Sequence, residues 1–124
     1  MPILVTAEPD VADGHASVPR ELRRDPAGIG TPLLDDEQRA ALLPSLPAWT
    51  ASESELTRTV SAASFEEAIA WVVRIADAAA ELDHHPDIDI RWRTLRLVLT
   101  THDSGGITRR DVELAARIDE IVGG

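Results

Sequence analysis

The 124-residue chain has no cysteine. Disulfide scaffolds, zinc–thiolate sites, iron–sulfur clusters and cysteine nucleophiles are therefore excluded. Lysine, asparagine and tyrosine are also missing, and Met1 is the only methionine. No run approaches the ~20 apolar residues of a membrane-crossing helix, and the N-terminus lacks a basic region leading into an apolar core. The expected location is the cytoplasm, with no membrane association. Positive charge is scarce: the net formal charge is −10, and all 12 cationic side chains are arginine. Phosphate backbones attract basic surfaces, and no basic stripe interrupts this acidic balance, so no nucleic-acid partner is expected.

Residues 1–32 hold five of the eight prolines and three of the seven glycines, without a sustained helical or strand period. Such composition cannot bury enough apolar surface to offset the entropy of ordering, so the segment reads as a flexible N-terminal extension. A short strand at 2–6 fits the local pattern but has no neighbour in sequence to pair with. The folded unit is expected over 33–124. A domain of roughly 90 residues buries about 60–65% of its unfolded surface, which makes association through a sheet edge or helical face plausible.

Periodicity then sets the element order. Asp35 and Gln38 have capping spacing ahead of a short helix, 36–43, which stops before Pro44. Segments 49–52 and 55–62 read as strands around a Glu53-Ser54 turn. In the second, Leu56, Arg58, Val60 and Ala62 share a face. Ser64 and Glu67 form a capping box before a long helix reaching about Leu82, with Phe65, Ala68, Ile69, Val72, Ala76 and Ala79 as its apolar stripe. Ile88, Ile90 and Trp92 alternate with polar residues, as do Leu95, Leu97 and Leu99, which predicts an antiparallel hairpin turning at Arg93-Thr94 with one buried face. Trp92 reads as a core anchor. Ser104-Gly105-Gly106 is a turn, and Thr108 caps a last helix with Asp111 in its third position and Ile107 stapled to Val112. The expected fold is α+β: a four-stranded antiparallel sheet with three helices on one face, in the order α-β-β-α-β-β-α.

His84-His85 precedes the first strand of the predicted hairpin, and His102 follows the second. Pairing brings all three imidazoles to one end of the sheet, with Asp111 one Gly-Gly turn away. Groups that titrate near pH ~6.5 suit proton transfer at neutral pH, and a carboxylate can hold one imidazole in a fixed tautomer. Each piece also has a plainer explanation. A His pair before proline makes a polar loop, Asp111 favours the helix dipole, and Arg109-Arg110 makes a solvated pair. Three His and one Asp also form a ligand set for zinc or iron, but adjacent histidines in extended chain point in opposite directions and rarely bind one ion.

Jointly, these residues resemble the pterin-4a-carbinolamine dehydratase family. The match rests on His84-His85-Pro86, five residues to Trp92, nine to His102 and eight to Asp111, together with the run from Thr101-His102-Asp103 through Gly105-Gly106 to Thr108-Arg109-Arg110-Asp111. Weaker likeness through Trp71, Ala68, Phe65, Arg58, Leu56 and Trp49 reaches back to Leu33, about three quarters of the chain. The resemblance implies the same α+β fold and a homodimer or homotetramer. It implies dehydration of 4a-hydroxytetrahydropterin to the quinonoid dihydropterin, with neither metal nor other cofactor. The small-molecule partner would be a pterin, in a pathway serving aromatic amino acid hydroxylases. The implied catalytic residues are His84, His85, His102 and Asp111, with Arg110 and Trp92 contacting substrate. A non-catalytic dimerisation or assembly role is the alternative within the same fold. Two departures stand out. Ala80 replaces a glutamate often found four residues before the first His, with Glu81 turned about 100° away on the helix. Val60 and Ala62 replace phenylalanines of the second strand.

Overall fold

The computed structural model describes residues 31–123 and, for residues 2–5, the backbone. The expected mobile extension falls largely outside these residues. The elements in chain order are strand β1 (Pro2–Val5), helix α1 (Asp36–Leu42), a 3₁₀ turn (Leu43–Ser45), strands β2 (Thr50–Ala51) and β3 (Leu56–Ser61), helix α2 (Phe65–Leu82), strands β4 (Asp87–Arg91) and β5 (Thr94–Leu99), and helix α3 (Arg109–Ile121). The expected α-β-β-α-β-β-α order and its four-stranded antiparallel sheet are both present. A fifth strand, β1, extends the sheet, giving the order β1-β4-β5-β3-β2. The short N-terminal strand does have a partner, but one more than eighty residues away: Pro2 lies opposite Arg91 and Val5 opposite Ile88.

Local signals account for most element ends. Asp35 Oδ1 accepts the Gln38 amide at 2.8 Å, and the Gln38 side chain accepts the Asp35 amide at 2.9 Å, a complete capping box. At α2, Ser64 accepts the Glu67 amide, but the Glu67 carboxylate reaches one residue further back, to the Ala63 amide at 2.7 Å. Helix α2 ends where Asp83 adopts a left-handed conformation (φ 50°), which lets the His84 amide bond the Ala79 carbonyl at 3.0 Å. At α3, Thr108 and Asp111 form the expected box.

The core lies between the sheet and its helices. Leu95, Leu97 and Leu99 of β5 are fully buried, together with Leu56, Ile75, Leu114 and Ile118, and Ile88 and Ile90 are nearly so. Arg58 shares that inward face and is neutralised by Asp119 of α3, whose Oδ1 also accepts the Trp49 indole N–H at 2.8 Å. The buried side of α2 departs from the expected stripe: Ile75 and Ala78 are buried and Ala76 is exposed. Ala68 and Ile75 are seven residues apart, so two helical turns bring them to one line, whereas Ala76 is rotated by about 100°.

The hairpin turns one residue earlier than expected. Arg91 pairs with Thr94, which leaves Trp92 and Arg93 as the connection. Trp92 therefore leaves the alternation begun by Ile88 and Ile90. It is not a core anchor: it is 65% exposed, at φ 55°, with the Arg93 guanidinium 5.0 Å from its ring centre.

Leu97 lies at the centre of the packed layer with no exposed surface. Leu97→Ala should cost about 2–5 kcal/mol of stability, read as a lower urea midpoint at unchanged slope.

Candidate active site

Strand alternation continues beyond both ends of the β4–β5 hairpin, and this sorts the candidate residues. Before β4, His84, Pro86, Ile88 and Ile90 are buried, while His85, Asp87 and Asp89 are half-buried. After β5, Thr101 follows the parity of Leu95, Leu97 and Leu99 and is buried, whereas His102 is exposed. His84 and Thr101 thus point towards the helix layer. By the same period, His85 and His102 face the other side.

Asp111 meets the inward pair. Its first-turn position in α3 places a carboxylate with no exposed surface beside a His84 ring that is 8% exposed. Asp111 Oδ1 lies 2.6 Å from His84 Nε2. Asp111 Oδ2 accepts the Thr101 hydroxyl at 2.8 Å and the Thr108 amide at 2.9 Å. The Thr101 and Thr108 hydroxyls are 2.7 Å apart. With the Thr101 hydrogen directed to Asp111, the Thr108 hydroxyl donates to Thr101. A buried carboxylate needs such donors, because an unpaired buried charge is costly. Since the carboxylate accepts, His84 Nε2 carries the hydrogen, and Nδ1 is the nitrogen left for a lone pair in the neutral ring.

The turn after β5 brings His102 back beside this network. The Thr101 amide bonds the Gly106 carbonyl at 2.9 Å, and the Gly105 amide bonds the Thr101 carbonyl at 2.9 Å. Gly105 sits at φ 81°, and a Cβ on Gly106 would lie 3.1 Å from Leu33 Cδ2. One glycine supplies the left-handed turn and the other permits close packing of the segment before α1. The Ser104 hydroxyl donates to the Thr31 carbonyl, fixing the same turn from its far side.

His84 and Asp111 are therefore in direct contact; the spacing put the carboxylate near the histidines without saying which ring it would hold. His85, His102 and Arg110 are each one peptide unit from a member of the network, namely His84, Thr101 and Asp111. The structure does not bring Trp92 to them. It lies at the opposite end of the hairpin, about 17 Å along the strand from Asp87. Thr101 is the residue to which sequence reading assigned no role. The available signal was its parity: a hydroxyl on the leucine face at a strand end needs a buried partner. Glu81 does not substitute for the acid missing at Ala80. It bonds Arg117 at 2.7 Å, which raises the Arg117 pKa, and so it is committed to α3. Among the described residues no group of three or more His, Asp or Glu is arranged to hold a metal ion, and no helix is long and apolar enough to cross a membrane.

A small α+β domain with a histidine pair at a helix–strand junction, buttressed by a capping aspartate, defines the class of protein. Its family follows from comparison. The model of the pterin 4 alpha carbinolamine dehydratase family matches residues 32–121, and the chain belongs to that family. A Nocardia farcinica protein, provisionally named a pterin-4-alpha-carbinolamine dehydratase, is 57% identical over 91 residues, which is 73% of this chain and 96% of that protein. A Roseiflexus castenholzii protein with the same provisional name is 49% identical over 90 residues, covering 73% and 97%. A crystal structure described as a transcriptional coactivator/pterin dehydratase from Brucella melitensis aligns with a TM-score of 0.70 at 26% identity, over 73% of this chain and 99% of that one. A pterin dehydratase-like protein described as a RuBisCO assembly factor of the alpha-carboxysome shares the fold at 19% identity, with a TM-score of 0.52 over 61% and 88%.

Removing the carboxylate would leave His84, Thr101 and the Thr108 amide without their acceptor. Asp111→Ala should therefore destabilise the domain by about 3–5 kcal/mol, rather than the ~1 kcal/mol of an exposed helix cap. Chemical denaturation distinguishes the two. Trp92→Ala, which loses only a surface ring and its cation contact, should cost less than about 1 kcal/mol in the same measurement.

Proposed function

We propose that this protein dehydrates 4a-hydroxytetrahydropterin to the quinonoid dihydropterin by histidine general acid–base catalysis. Loss of water requires one proton delivered to the departing 4a-hydroxyl and one removed from ring N5, so the reaction is balanced without any redox step. The observation that carries the reading is the fully satisfied Asp111, which holds a buried imidazole at the root of a rim bearing two outward histidines. His85 and His102 act as the proton-transfer pair. Their shared side of the strand ends suits two positions flanking one flat ring. His84, with Nε2 committed to Asp111, keeps the rim rigid. Arg110 contacts the substrate. Trp92 has no part in this site within one chain. Family membership supports the reading, and no metal or other cofactor is called for.

In this reading the protein works in the cytoplasm as a homodimer or homotetramer. It returns pterin to the pool used by aromatic amino acid hydroxylases. A non-catalytic dimerisation or assembly role is the second reading. The exposed Trp92 stacked with Arg93 favours it, since buried aromatic and arginine side chains anchor many protein interfaces. Such a module would not need its histidines.

The readings separate in a stopped-flow assay of 4a-hydroxytetrahydropterin breakdown. His85→Ala and His102→Ala should each lower kcat by roughly 10²–10⁴, the usual worth of a positioned acid or base, while Trp92→Ala stays within about twofold. Near-unchanged turnover in both histidine variants, or no acceleration by the unaltered protein, would remove the enzymatic reading.

A further inference from the structure

The turn that carries His102 is gripped from outside itself. Two residues before the histidine, the Thr100 hydroxyl donates to the Ser54 carbonyl at 2.6 Å. Two residues after it, the Ser104 hydroxyl donates to the Thr31 carbonyl. Both acceptors are remote in sequence. Ser54 lies in the connection between β2 and β3, and the buried Thr31 lies in the stretch that leads into α1. That stretch is itself fixed to the chain entering α3: Leu33 is bridged antiparallel to Thr108, and the Leu34 amide bonds the Ile107 carbonyl at 3.0 Å. The β2–β3 connection is tied to α1, because the Arg39 guanidinium donates to the Ser52 carbonyl at 2.6 Å and to the Glu53 carbonyl at 3.1 Å. Residues 31–39 therefore brace the turn at both ends, directly through Thr31 and by way of the β2–β3 connection through Arg39. The two supports converge on Gly106, where a Cβ would lie 3.1 Å from Leu33 Cδ2 and 3.7 Å from Ser54 Cα.

We propose that Thr100 and Ser104 are positioning residues for His102, two hydroxyl clasps that fix the backbone from which its imidazole projects. His102 is exposed, so packing around the ring does not hold it. The turn also contains Gly105 at φ 81°, followed by Gly106, and glycine is the residue that restrains a backbone least. Asp111 secures Thr101 on the buried side only. On the outward side, where strand alternation puts both Thr100 and His102, the restraint is the pair of clasps. Neither bond is needed to form the turn, since each leaves it for a carbonyl 46 or 73 residues away. A proton-transfer group must stand within hydrogen-bond reach of its target, and a misplacement of about 1 Å costs as much as 10²-fold in rate. The effect of the clasps on rate rests on the dehydratase reading, in which His102 moves a proton. Their hold on the turn does not.

The test uses the full chain carrying Thr100→Val or Ser104→Ala, with Ser104→Thr as the variant that keeps the hydroxyl. In the stopped-flow assay each deletion should lower kcat about tenfold with KM within about twofold, and Ser104→Thr should recover most of the loss. In a His102→Ala background the same deletions should change turnover by less than about twofold, because a residue that acts through His102 has nothing left to act on. Equal losses in both backgrounds would overturn the proposal, since the hydroxyls would then serve the fold or another group. Unchanged kcat in both single variants would overturn it as well. A second readout needs no turnover. The Thr101 and Gly105 amides close the turn by bonding the Gly106 and Thr101 carbonyls. In either deletion they should exchange about fivefold faster, the worth of one lost hydrogen bond. Exchange rates equal to those of the unaltered chain would refute the clasps whatever the turnover. No acceleration by the unaltered protein would remove the dehydratase reading alone, and the exchange rates would still decide whether the clasps hold the turn. Should Ser104→Ala fail to fold, Thr100→Val, which conserves side-chain volume, carries the same comparisons.

Discussion

One buried carboxylate organises the end of this domain that carries the histidine pair. Asp111 takes a hydrogen bond from the ring that follows α2, another from the hydroxyl that ends β5, and a third from the backbone amide that opens α3. No two of these donors come from the same element. A charge with no exposed surface is tolerable only with such a set of partners, so the aspartate pins three separate chain segments to one point. It also caps its own helix. Fold stability and site geometry therefore rest on the same side chain.

The strand period divides the labour around it. Residues of one parity, His84 and Thr101, enter the network under the helices, and their neighbours His85 and His102 are delivered to the opposite side. The left-handed Asp83 and the Gly105-Gly106 turn are the hinges that bring both histidine segments to the same end of the hairpin. The hairpin's other end is a different place altogether, and Trp92 belongs to it.

The match to the pterin 4 alpha carbinolamine dehydratase family covers residues 32–121, with Ala80 inside it and strand β1 before it. Ala80 is exposed in the last turn of α2, and the neighbouring Glu81 is drawn off by Arg117. Strand β1 precedes the matched region and closes a sheet edge that the matched residues by themselves would leave open. Neither feature touches the His84–Asp111 pair itself.

Element order, helix caps and the leucine face of β5 were legible because each depends on residues within one turn or a few strand positions of one another. Ser64, Thr108 and Leu95-Leu97-Leu99 needed no distant partner to be read. The nearness of the histidine pair and Asp111, realised in the His84 contact, was also legible once the hairpin was recognised. Trp92 was not, because a hairpin shifted by one residue turns a would-be inward ring out into solvent, and alternation alone does not fix where a strand stops. The role of Thr101 and the partner of β1 were likewise decided only in three dimensions. A hydroxyl's acceptor and a strand's neighbour are set by long-range packing, which brings residue 101 to residue 111 and residue 3 to residue 90 across stretches that carry no local trace of the contact.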